Sequence, residues 1–456
     1  MRNFHFTLVL TAVIAALSMG SCGKKTATET PLTVSVDGGL VQGVALESSA
    51  CVVFKGIPYA APPTGELRWR EPQPVQPWDT VMLCDHFRNA APQPAHNPQD
   101  GQYGTEFFAE DAPFSEDCLH LNIWMPKSVL SGETEPAAVA LWIHGGAYSA
   151  GWSFEPEMDG EAWAERGVIL VTANYRLGIF GYLSHPWLTA ESGTSGNYGL
   201  MDQIAALKWV RNNISAFGGD PERIMIFGQS AGGGSIRCMT ISPESKGLFS
   251  SAIVMSAGGL GGRLAEGMSQ EDADAIGKRI IELGGWQSLE EMRAATTDEL
   301  EAALNRYRFE TGNWMALCPH IDGKYIIKTF DQSVVDGTIA NVPYMMGSVA
   351  NDMPGLDAGF QPFADERERF AGAPVYLYRF DAPLPNDGRP CLQGSFHSSE
   401  LWYIFHTLDR SWRPFGEADE ALSNRMVDAW TNFAKSGNPG WAATSAEKPY
   451  TEQFTR

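Results

Sequence analysis

Ile224-Met225-Ile226-Phe227-Gly228-Gln229-Ser230-Ala231-Gly232 is the stretch around which the rest of the chain can be ordered. Its first four residues are all apolar. Such a run suits a strand covered on both faces, which has no polar side to alternate with. A helix is expected from Gly233 to Ile241. Between strand and helix lies a G-x-S-x-G pattern. A serine on so sharp a turn takes strained backbone angles, and glycines two residues to either side leave the room that the turn needs. The hydroxyl then stands above the strand ends, close to a helix N-terminus that favours negative charge. Ser230 is therefore the candidate nucleophile. The five-residue pattern alone occurs by chance; the strand before it and the helix after it make it specific.

Working outward, Ala137 to Ile143 is another continuous apolar run, and Val168 to Ala173, Ala252 to Met255, Pro343 to Met346 and Pro374 to Phe380 look the same. Leu121 to Trp124 reads as a strand stopped by Pro126. Helical periodicity lies between these strands, over Leu200 to Phe217, 270–306 and 418–435. Alternation of strands with helices means parallel crossover units. The expected fold is α/β, with a doubly wound, mostly parallel central sheet and helices on both faces. Leu32 to Tyr59 reads as short β runs with a hairpin signal at Asp37-Gly38-Gly39, and Pro58 to Pro77 as loop. Gly258 to Gly262 lacks the lysine of a phosphate loop and is read as a plain loop.

His144-Gly145-Gly146-Ala147-Tyr148 follows directly on the strand ending at Ile143. Acyl transfer needs backbone N–H donors preset around an oxyanion, and glycines permit a turn that points successive amides inward. Gly145, Gly146 and Ala147, with Ala231 after the candidate nucleophile, are the expected donors. His144 is read as anchoring the loop.

Together these residues resemble the type-B carboxylesterase and cholinesterase family of the α/β-hydrolase superfamily. Phe54-Lys55-Gly56-Ile57-Pro58-Tyr59-Ala60, Arg68-Trp69 and Glu116-Asp117-Cys118-Leu119-His120-Leu121-Asn122 are similar to its N-terminal segments. Asn174-Tyr175-Arg176 and Gly196 to Gln203 match further ones. The likeness runs from about residue 36 to about 440. It implies hydrolysis of small-molecule carboxylic esters through an acyl-enzyme, with no cofactor, and a disulfide between Cys84 and Cys118. In this fold the catalytic order is serine, acid, histidine. Asp352, five residues after Gly347, stands where the family usually carries Glu; Asp357 is its rival. His397, in Phe396-His397-Ser398-Ser399-Glu400-Leu401, resembles the family's histidine segment; His406 is the other C-terminal candidate. Two departures stand out. The span from Asp352 to His397 is short, which leaves the substrate pocket open to question, and Gln229 stands before the serine where Glu is common. A catalytically silent binding or adhesion module of the same fold is the alternative reading. Trp152, Phe154, Trp314 and Phe360 are candidates to line an acyl or aryl site.

The formal net charge of -21 repels phosphate backbones and anionic surfaces, which argues against nucleic acid as a partner. Residues 1–21 read as a signal peptide: Arg2 is its positive end, Phe6 to Met19 its apolar run, and Met19-Gly20-Ser21-Cys22 resembles a bacterial lipoprotein processing site. Cys22 is the expected lipidation site and the only membrane contact, 22–35 a polar linker, and 36–456 the hydrolase domain. The expected location is the bacterial cell envelope, and the expected state a monomer. Pairing among Cys51, Cys238, Cys318 and Cys391 stays open. No His/Cys cluster has metal-ligand spacing, so no metal is expected.

Overall fold

The computed structural model describes residues 32–46, 50–95, 101–107, 112–262 and 267–456, with the backbone alone for 101 and 102. Residues 1–21, read above as a signal peptide, and Cys22 lie outside the described residues. A small three-stranded sheet, Thr33–Val36, Gly39–Gln42 and Met82–Leu83, opens the described chain. Val36 pairs with Gly39 across the expected hairpin. Ordered structure therefore begins before residue 36, inside the stretch read as linker.

The main sheet has ten strands: β1 (Val44–Ala45), β2 (Cys51–Pro58), β3 (His120–Pro126), β4 (Ala137–Ile143), β5 (Val168–Ala173), β6 (Gly219–Gln229), β7 (Ser251–Met255), β8 (Tyr344–Val349), β9 (Val375–Phe380) and β10 (Glu452–Phe454). They lie in the order β10-β9-β8-β7-β6-β4-β5-β3-β2-β1. The sheet is parallel from β10 to β5 and antiparallel from β5 to β1. This is the α/β-hydrolase fold.

The apolar runs are continuous because both sides of the sheet are covered. On β4, Val139, Leu141 and Ile143 enter one core, while Ala140 and Trp142 enter the other. On β6, Ile224 and Ile226 alternate with Met225 and Phe227 in the same way. Helices Tyr198–Asn213 and Ala231–Ile241 close the first face with Leu200, Ile204, Leu207 and Ile236. Helix Glu417–Ser436 closes the second with Leu422, Met426, Trp430 and Phe433. Each such side chain contributes roughly 1.5–3 kcal/mol on burial.

The helical stretch 270–306 divides into Gln270–Gly284, Leu289–Ala294 and Thr297–Thr311. Gly285 at φ 82 ends the first of these. The Ser288 hydroxyl and a Thr296–Glu299 capping box begin the next two, because each side chain satisfies N–H groups that the helix leaves open.

β4 lies between β5 and β6, so the chain leaves it in one direction and returns on the other side. At this switch point the C-terminal ends of β4 and β6 stand side by side, with Ile143 paired to Gly228. Clefts for ligands form at such points. A buried ion pair braces the connection behind it. Asp202, near the start of helix Tyr198–Asn213, accepts from Arg176 Nε at 2.7 Å, Nη2 at 2.7 Å and the Arg176 backbone N–H at 3.0 Å.

The implied Cys84–Cys118 disulfide is not formed: Cys84 and Cys118 are both free thiols. The Cys84 Sγ lies 3.7 Å from the Met82 carbonyl oxygen of its own segment. Burial pushes its thiol up to about 11 and pushes Cys118 well above its ordinary value, so both fit the core as neutral groups.

Removing one partner of a buried ion pair strands the other. Asp202→Ala is expected to lose about 3–5 kcal/mol of stability in chemical denaturation, and Arg176→Met with Asp202→Leu together much less than the sum of the two single changes. A loss below about 1 kcal/mol for the single change would place the pair in the weak, solvent-screened class.

Candidate active site

β6 ends at Gln229 and the next helix begins at Ala231, so Ser230 alone makes the turn, at φ 56 and ψ -124. This is a strained conformation for a residue with a Cβ, held from both sides. The Ser230 N–H donates to the Met255 carbonyl at the end of β7 (2.9 Å), and its carbonyl accepts from Gly234 (2.9 Å). The flanking glycines are needed for contact rather than for φ. A Cβ on Gly232 would lie 2.0 Å from the Ile143 carbonyl oxygen, and one on Gly228 would lie 2.6 Å from the Gly232 carbonyl carbon.

The turn after β4 is strained in its own way. Gly146 has φ 101, Ala147 φ 53 and Tyr148 φ 59. The Gly146 carbonyl accepts from Ser149 and Ala150, both at 3.0 Å. Among the described residues, the backbone N–H groups of Gly145, Gly146, Ala147 and Ala231 donate to no protein acceptor. His144 stacks on Tyr175 at 4.4 Å, and burial pushes it down to about 4, so it stays neutral.

Asp352 and His397 come together across a tie between their loops. Asn351 and Phe396 form a parallel β-bridge, and the Asn351 side chain accepts from Ser395 N–H at 3.0 Å. The residues that follow them then meet: Asp352 Oδ1 is 2.7 Å from His397 Nδ1. Burial raises Asp352, but the hydrogen bond and charge of His397, the nearby Ser256 hydroxyl and the Met353 N–H outweigh it and hold the carboxyl below its ordinary value. The rivals lie elsewhere. Asp357 pairs with Arg379 at 3.1 Å. His406 meets Ser423 Oγ at 2.7 Å, and it sits just past the short helix Leu401–Ile404 rather than within one.

Sequence reasoning brought Ser230 to the same strand rim as this pair, but among the described residues no hydrogen bond joins the Ser230 hydroxyl to His397. The Nε2 of His397 instead meets the Gln229 side-chain amide nitrogen at 3.2 Å. Two further residues were missed. Ser256, at φ 49, follows β7, with its N–H on the Gly347 carbonyl at 2.8 Å. Glu400 is 0% exposed. Burial and then the charge of Asp352 push it up to about 8. Its place three residues after His397, in an otherwise apolar helix start, was the available signal.

A cavity of about 400 Å³ opens beside these groups. Its walls include Gln229, Gly145, Gly146 and Ser398, with Tyr103, Phe107, Trp152 and Met158 supplying apolar surface. Glu155 and Glu157 also line it; burial raises both, Glu157 to about 7. Of the aromatics expected here only Trp152 lines the cavity. Phe154 stacks on Phe87, Trp314 is exposed against Phe309, and Phe360 belongs to the core.

A model of the carboxylesterase family matches residues 30–356 and 356–455. The fumonisin B1 esterase of Sphingopyxis macrogoltabida is 33% identical over 88% of this chain and 81% of its own length. The para-nitrobenzyl esterase of Bacillus subtilis is 31% identical over 86% and 88%. A thermophilic para-nitrobenzyl esterase structure superposes with a TM-score of 0.81 at 30% identity, covering 93% of this chain and 96% of that one. A Geobacillus stearothermophilus carboxylesterase gives 0.76 at 29% identity.

Glu400 gives the site a pH signature. Its folded form prefers the proton, so its contribution to stability is complete below its ordinary 4.5 and is lost as the pH rises to about 8. The denaturation midpoint of the wild-type chain should fall relative to that of Glu400→Gln across that window. Parallel curves would show that Glu400 reaches water.

Proposed function

Because this chain belongs to the carboxylesterase family and hydrolyses carboxylic esters, we propose that Ser230, His397 and Asp352 carry the reaction. His397 Nε2 takes the Ser230 proton as the oxygen attacks the ester carbonyl, and the ionised Asp352 stabilises the imidazolium that forms. The oxyanion is received by the N–H groups of Gly145, Gly146, Ala147 and Ala231. The proton then passes to the leaving alcohol. Water activated by His397 adds to the acyl-enzyme, and the acid departs. The observation that carries this reading is the 2.7 Å Asp352–His397 contact on the rim where Ser230 is held at φ 56 beside four undonated N–H groups. The non-catalytic binding reading draws no support from the relatives reported above, which are named as esterases.

The cavity suits an apolar acyl or aryl group. We propose further that the chain is exported and lipid-anchored at Cys22, after removal of residues 1–21; the apolar run and the small residues before Cys22 support this.

Hydrolysis of short and long p-nitrophenyl esters by the chain from Gly23 onward tests the chemistry. Ser230→Ala should lower turnover by about a millionfold. A variant that keeps a tenth of the activity would remove Ser230 from the role. For the anchor, Cys22→Ser in the full chain should move the enzyme from the membrane fraction to the soluble one; unchanged partition would overturn it.

A further inference from the structure

His397 presents two nitrogens, and its surroundings assign them. Nδ1 faces Asp352 at 2.7 Å, and that carboxyl is held below its ordinary value, so it accepts and Nδ1 carries the proton. Nε2 is left with one lone pair, which can take one strong donor. The donor in place is the Gln229 amide nitrogen, at 3.2 Å. Turning this amide over would set its oxygen against the lone pair, two acceptors face to face, so the donor assignment follows from the network. As it stands, the amide oxygen lies on the Gly145 side, 3.2 Å from where a Cβ on that glycine would be.

Gln229 and Ser230 are adjacent in sequence and address the same lone pair, so one excludes the other. The Gln229 backbone is fixed as the last residue of β6, paired with Met255. Only its side chain is free to yield. That side chain is also a wall of the cavity, together with Gly145 and Gly146. We propose that Gln229 is a positioning residue that caps the catalytic base in the free enzyme and gives way to the Ser230 hydroxyl when an ester group fills the cavity. This rests on the roles proposed above for Ser230 and His397. A glutamate at 229 cannot act in this way: a carboxylate has no proton to donate, and its charge favours the imidazolium instead.

The cap acts only on neutral imidazole. An imidazole protonated on both nitrogens cannot accept from the amide, so the cap vanishes with that protonation. The test is the pH profile of kcat/KM on p-nitrophenyl acetate for the wild type, Gln229→Met (equal length, no donor) and Gln229→Glu. Losing one neutral hydrogen bond should raise the Gln229→Met plateau about 2- to 10-fold. The acid limb should move up by the matching logarithm, so that the two profiles converge at low pH. In Gln229→Glu the acid limb should move up by roughly one unit or more. A Gln229→Met profile lowered equally at every pH, with its limb unmoved, would overturn the cap. If Gln229→Met does not fold, an unmoved limb in Gln229→Glu overturns it alone. Wild-type activity that survives His397→Ala would instead sink the underlying assignment of the base.

Discussion

The candidate site depends on how closely β6 and its following helix approach the end of β4. The Ile143 carbonyl occupies the place where a side chain on Gly232 would begin, at 2.0 Å from the position of its Cβ. Only a residue without a side chain closes that gap. Once it is closed, the turn after β4 and the turn at Ser230 leave the sheet side by side, and both carry N–H groups that, among the described residues, donate to no protein acceptor. The strained angles at Ala147, Tyr148 and Ser230 persist because the parallel β4–β6 pair, with both faces buried, overdetermines them.

Electrostatics then separates the acids that the fold gathers near His397. Asp352 meets an imidazole N–H, a backbone N–H and a hydroxyl, and stays ionised. Glu400 lies deeper, sees the charge of Asp352, and keeps its proton up to about pH 8. Neighbouring carboxyls whose environments drive them apart are a recurrent arrangement at reacting centres. Burial acts likewise on two further acids of the cavity lining, raising Glu155 and Glu157.

Much of the site was legible in the chain. Gly228, Ser230 and Gly232 carry a steric requirement at fixed spacing, and Gly145-Gly146 follows an apolar run long enough to be a buried strand. Asp352 and His397 were reached through the family order of acid and base. Ser256 has no local pattern, and Glu400 offered only its place beside the histidine segment: each matters because of what packs against it. The Cys84–Cys118 disulfide was an inference from the same family likeness, and the thiols settle instead as neutral core groups.

Periodicity and turn chemistry by themselves determined that this chain alternates strands and helices, where the sharp serine turn lies and which strand precedes it, because those properties are local and repeat every few residues. Only the tertiary structure decided what the His397 Nε2 touches. Contacts between Gln229, His397 and Asp352 join segments far apart in sequence, and their geometry is set by strand register and loop ties such as Asn351–Phe396. A one-dimensional pattern carries side-chain type and spacing, but not the direction in which a side chain at the end of a strand will turn.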